Sequence, residues 1–142
     1  MSSDPRRQVE SLLERAASWA STRGDVAALA LVGSRARGAA RADSDVDLVL
    51  LTVDPPAYVE HEDWIQALAP GAELVRTGDW GAIVERRLRL PSGLEVEVGI
   101  GRPSWAEVTP VDPGTRRVVR DGMRPLYDPR GMLAALQSAA ER

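Results

Sequence analysis

Apolar positions along the chain recur with two different periods, and the periods predict the elements. After Asp4-Pro5, an N-cap with proline at the first helical position, Val9, Leu12, Leu13, Ala16 and Ala20 recur at helical spacing. This predicts an amphipathic helix ending near Arg23-Gly24. Val26 to Val32 is a continuous apolar run stopped by Gly33, the pattern of a buried strand. Residues 34 to 41 are small and basic and predict a short helix. Val46 to Val53 is a second buried strand, stopped by Asp54-Pro55-Pro56. A helix is expected over about Tyr58 to Leu68, closed by Pro70-Gly71, and a third strand over Leu74 to Thr77.

A hairpin follows, with strands Ile83 to Leu90 and Leu94 to Ile100 around Pro91-Ser92-Gly93. Leu94, Val96, Val98 and Ile100 alternate with Glu95, Glu97 and Gly99, so one face is apolar and the other acidic. A three-residue loop sets Leu88 opposite Val96, Arg89 opposite Glu95 and Arg87 opposite Glu97. A two-residue loop would mix the faces, so the longer loop is favoured. Beyond it, Pro110 to Gly114 reads as a loop, Thr115 to Arg120 as a short helix, Arg124 to Tyr127 as a strand and Pro129 to Ala140 as a terminal helix. The fold class is α/β or α+β, a mixed sheet flanked by helices, in a single domain over 1–142 with a core at about 24–101 and an extension at 102–142.

Composition narrows the chemistry. There is no cysteine, which excludes thiolate nucleophiles, disulfides and zinc-thiolate sites. All 18 basic residues are arginine, so a lysine base or Schiff base is excluded and any phosphate must be held by Arg, backbone N–H or metal. A net charge of −3 argues against a general nucleic-acid coat. No apolar run has the length of a membrane span and the amphipathic N-terminus lacks a signal-peptide core, so the expected location is cytoplasmic. His61, the single histidine, reads as a surface residue; Trp64, Trp80 and Trp105 read mainly as core.

The window from Gly33 to Leu48, GSRARGAARADSDVDL, carries the candidate chemistry. Asp45 and Asp47 are two apart at a strand entrance and share a face. Two such carboxylates repel unless a cation lies between them, and oxygen donors of this kind suit Mg²⁺ with a polyphosphate. Gly33-Ser34 ends a strand, where backbone N–H groups and a hydroxyl can hold an anion. Arg37, three residues on, would share that face on a helix, and Gly38 would relieve bulk at a close approach. Singly, each piece is ordinarily a solvated turn or strand edge; together they form an anion cradle facing a carboxylate pair.

The pattern Gly33, Ser34, Arg37, Gly38, Ser44, Asp45, Asp47 and Leu48 resembles that of the DNA polymerase beta-like nucleotidyltransferases, in particular their minimal branch. The resemblance covers roughly Val26 to Ile100. It implies a third carboxylate on a later strand; Glu95 and Glu97 are candidates, and Glu97, between Val96 and Val98, is preferred. It implies two Mg²⁺ ions on Asp45, Asp47 and Glu97, with an NTP, expected to be ATP, bound through Gly33, Ser34, Arg37 and Ser44. The reaction implied is transfer of a nucleotidyl group, expected to be AMP, to a hydroxyl. By the same resemblance the acceptor is a protein partner such as an HEPN toxin, or a small molecule as in antibiotic-modifying relatives, whose acceptor pocket would here be made by a homodimer or by residues after Gly101. A tRNA end is disfavoured by the net charge. The contrasting class is a silent nucleotide sensor or antitoxin-like interaction subunit.

Overall fold

The computed structural model describes residues 4–142. Its elements, in chain order, are α1 (Pro5–Ser21), β1 (Val26–Val32), β2 (Val46–Thr52), α2 (Pro56–Val59), α3 (Asp63–Leu68), β3 (Glu73–Asp79), β4 (Val84–Arg89), β5 (Glu95–Gly101), a 3-10 turn (Pro103–Ala106), α4 (Pro113–Asp121), β6 (Met123–Tyr127) and α5 (Met132–Ala140). Among the described residues the strands form one six-stranded sheet in the order β3-β4-β5-β2-β1-β6. It is a mixed sheet: β2 and β5 run parallel, and the other neighbours run antiparallel. The α+β class read from the sequence is the observed one.

Each sheet face builds its own core. On one face Leu29, Leu31, Leu48, Leu50, Val96 and Val98 pack against α1 and α3, with Trp19, Tyr58 and Trp64 mutually in contact. On the other, Ala28, Ala30, Val49 and Leu51 pack beneath α4, α5 and the 3-10 turn. Arg116 and Arg120 of α4 donate to the Ala140 carbonyl of α5 at 3.1 and 2.8 Å, which fastens the two helices together. Among the described residues no helix is long and apolar enough to cross a membrane.

The hairpin has the predicted register: Leu88 pairs with Val96, Arg87 with Glu97 and Arg89 with Glu95. Three expectations need correction. Residues 34–38 form successive turns, not a helix, because Gly33 and Gly38 take positive φ (+81° and +73°) and no α-helical ladder can pass through them. Gly38 has open space around it, so its backbone angle, not close packing, demands glycine. The helix expected over 58–68 is two short helices. The Trp64 indole donates to the Tyr58 and His61 carbonyls (3.0 and 2.9 Å), holding the chain between them in a bend.

Candidate active site

The strands place the candidate acids by their two-residue period. Asp47 on β2 pairs in register with Glu97 on β5 and with Val32 on β1. Asp45 and Asp47 therefore share a face with Glu95 and Glu97, while Val46, Leu48, Val96 and Val98 point into the α1 side of the core. Helices α4 and α5 cover this second face over β1 and β6 but leave it open over β5 and β4.

The Asp47 and Glu97 carboxyls are neighbours on one face across the parallel β2–β5 pairing. Burial, then the charge of Glu97, pushes the Asp47 carboxyl up to about 6. Glu97 stays below the usual range: burial would raise it, but hydrogen bonds from Glu85 and Asp47 and the Arg87 guanidinium outweigh that. Its hydrogen bond to Glu97, and then burial, raises Glu85 to about 7.

Arg87 on β4 is the counter-charge. Its guanidinium lies 2.8 Å from Asp45, 2.7 Å from Glu95 and 3.0 Å from Glu97. Hydrogen bonds to Asp45 and Glu95 raise its pKa further. Glu95 is an arginine partner on both sides, since Arg89 also reaches it at 2.9 Å. Arg76 on β3 stands 3.5 Å from Glu97. Register alone could pair Arg87 with Glu97; its reach to Asp45 depended on the parallel β2–β5 contact, which periodicity does not encode.

The signature turn is built as follows. Gly33 ends β1 at φ +81°, and a Cβ there would lie 2.7 Å from the Asp47 Oδ2. Only glycine lets this turn close over that carboxylate. The Gly33 N–H donates to the Gly122 carbonyl at 3.2 Å, and the Gly33 carbonyl accepts from Ala36 and Arg37. Among the described residues the Ser34 amide and hydroxyl take no protein partner, so both remain for a ligand. Arg37 is placed differently from the helical expectation: its guanidinium donates to the Asp121 carbonyl at the end of α4, 3.0 Å away. The Ser44 hydroxyl accepts from the Arg41 amide at 2.8 Å, and Arg35 donates to the Ser44 carbonyl at 3.0 Å, so both shape the 39–44 loop. Arg35 and Gly122 were missed from sequence. Gly122 has φ +134°, and a Cβ there would meet Arg37 at 3.0 Å and the Gly33 carbonyl at 3.1 Å. His61 is exposed, Trp64 is buried, Trp105 is half-buried, and Trp80 is 71 % exposed, contrary to a core role.

Residues 11–77 match the family model described as the nucleotidyltransferase domain. They run from α1 through the signature turn and the Asp45–Asp47 strand to β3. Over this stretch the chain is similar to the nucleotidyltransferase domain, which supports a relation to the DNA polymerase beta-like superfamily. The match supports a general nucleotidyl transfer role and implies a nucleoside triphosphate substrate. Among curated proteins, none matches the chain.

Nucleotidyltransferases of this superfamily generally use Mg²⁺. The donors here are all carboxylate oxygens, a hard set that suits Mg²⁺, and the mutual repulsion of Asp47 and Glu97 is one a divalent ion would relieve. Among the described residues no three acids or imidazoles converge on a single ion position. Asp45 is turned toward Arg87 instead. The residues therefore fit the ion chemically, and Asp45 must leave Arg87 to join them.

Proposed function

We propose that this domain transfers a nucleoside monophosphate from an NTP, with ATP the expected donor, to a hydroxyl acceptor. One observation carries the reading: the Asp47–Glu97 carboxyl pair lies against the Gly33-Ser34 turn, so a triphosphate held by the turn has its phosphates beside two acids. In the reaction the acceptor oxygen bonds to the α-phosphorus and the bond to pyrophosphate breaks. The unpartnered Ser34 amide and hydroxyl would hold the outer phosphates. Glu97, kept ionised, would take the acceptor proton. Asp47, which loses its proton most easily when a cation is near, would ligate Mg²⁺ with Asp45 and Glu97. When bound, Mg²⁺ supplies charge neutralisation and lowers the pKa of the attacking hydroxyl. Most of the acceleration would come from such positioning and charge stabilisation.

The acceptor we expect is a protein partner or a small molecule, and we take 1–142 to act as one catalytic domain. A second reading, a silent nucleotide-binding subunit, has one observation in its favour: Arg87 already neutralises Asp45 and Glu97. One experiment separates the two. Purified protein is incubated with Mg²⁺, host lysate and each NTP labelled at the α-phosphate, with Asp47→Asn as control. Label on a protein, RNA or small molecule in the wild type alone supports transfer and names the acceptor class. NTP binding without label or pyrophosphate release supports the silent subunit.

A further inference from the structure

The cavity at the carboxyl pair continues past it and changes character. It encloses about 300 Å³, at the low end of the roughly 300–1,000 Å³ of small-molecule sites. Its near end includes Gly33, Asp47, Glu85, Glu97 and Asp121; its far end includes Val49, Gly99, Ile83, Trp105 and Val118. Gly99 follows Glu97 on the same face of β5 and leaves the strand backbone bare there. Ile83 walls one side, 3.1 Å from where a Gly99 Cβ would stand, and Trp105 and Val118 wall the other. The far end is thus a narrow apolar slot opening directly onto the two acids.

We propose that this slot receives the nucleobase of the triphosphate, packed against Trp105. The inference rests on the transferase reading above. The sheet order supplies the direction. The phosphate turn ends β1, Asp47 lies on β2, Glu97 on β5, and β4 comes next. In-line displacement puts the attacking oxygen opposite the leaving pyrophosphate. The acceptor therefore approaches across β4, the side of Arg76 and exposed Trp80. The nucleoside must leave that line sideways, along the strands. In one direction along β2 and β5 stand Asp45 and Glu95, both bound to Arg87. In the other stand Val49 and Gly99, and the slot. An aromatic ring gains from burial and stacking there; a charged phosphate or a hydrated acceptor does not.

The test is calorimetric titration, in Mg²⁺, with two probes: the α,β-methylene analogue of ATP, which has a base, and inorganic tripolyphosphate, which has none. Wild-type protein should bind the analogue more tightly. Trp105→Ala, and Val118→Phe to fill the slot from α4, should each weaken the analogue roughly 10- to 100-fold while leaving tripolyphosphate within about twofold. Thermal melts identify a variant that fails to fold, and the other variant then decides. Equal weakening of both probes, or no change in either, overturns the slot alone. Equal wild-type affinity for the two probes does the same. Wild-type protein that binds neither overturns the transferase reading together with the slot.

Discussion

The two faces of the sheet are made by alternate residues of the same strands, yet they solve opposite problems. On β2, Val46, Leu48 and Leu50 enter the core beneath α1, and all three are at most 2 % exposed. Asp45 and Asp47, their immediate neighbours, stand on the face that α4 leaves open. On β5, Val96 and Val98 pair with Glu95 and Glu97 in the same way. The packed face fixes where the backbone lies, and the open face inherits that position. Carboxylates can be held against each other, at an electrostatic cost, because the leucines behind them are not free to move.

The comparison breaks most sharply at Asp47. Asp47→Asn should lower transfer by about 10²–10⁴-fold, measured as labelled-product formation, and leave the fold intact. Glu97→Gln should come close to that loss, and Glu95→Gln should fall well short of it, because Glu95 serves Arg87 and Arg89. The reverse order would move the third carboxylate to Glu95. On the packed face, Leu50→Ala should cost about 2–5 kcal/mol of stability in a denaturant titration, while the activity of the molecules still folded is largely kept. A smaller effect is expected at Arg87. Arg87→Gln leaves Asp45, Glu95 and Glu97 without their shared cation and should destabilise by about 1–3 kcal/mol. Added Mg²⁺ should raise the melting temperature of that variant more than that of the wild type. An equal rise in both would mean that the guanidinium and the ion do not share the acids.

The smallest effect concerns pH. Asp47 titrates near 6 when folded, from an ordinary 3.8. A raised carboxyl favours the folded state fully below the unfolded pKa, and that contribution is lost as pH rises through the folded one. Metal-free protein should therefore lose stability between about pH 4 and pH 6 through this group. After allowance for solvent screening the loss is about 1 kcal/mol. Asp47→Asn should remove that slope, read by melts at a series of pH values.

Much of this contrast was legible in the sequence, because a period of two is written directly into VDLVLL and EVEVGI. The strand run Val26 to Val32, the hairpin register and the exposed His61 all followed from local pattern. What escaped depends on contacts distant in sequence. Residues 34–38 have helical composition, but two glycines at positive φ turn the backbone out of a helix. Arg37 sits beside the motif in sequence, yet its partner is 84 residues away. The break between α2 and α3 comes from an indole seeking carbonyls, which composition does not announce. Trp80 read as core because tryptophan usually is; at the turn between β3 and β4 it stands in solvent.

The tie between Gly33 and Gly122 bears on how this protein can be cut and recombined. A fragment ending at Gly101 would retain every signature residue and all three candidate acids. It would lack the carbonyl that anchors the signature turn, and it would lack β6, which covers β1. The sequence VAALALV would then become a bare sheet edge, an invitation to self-association. The smallest transplantable unit is therefore longer than the motif-bearing stretch, and a chimera that grafts residues 24–101 onto another carrier should be judged first by whether it stays monodisperse.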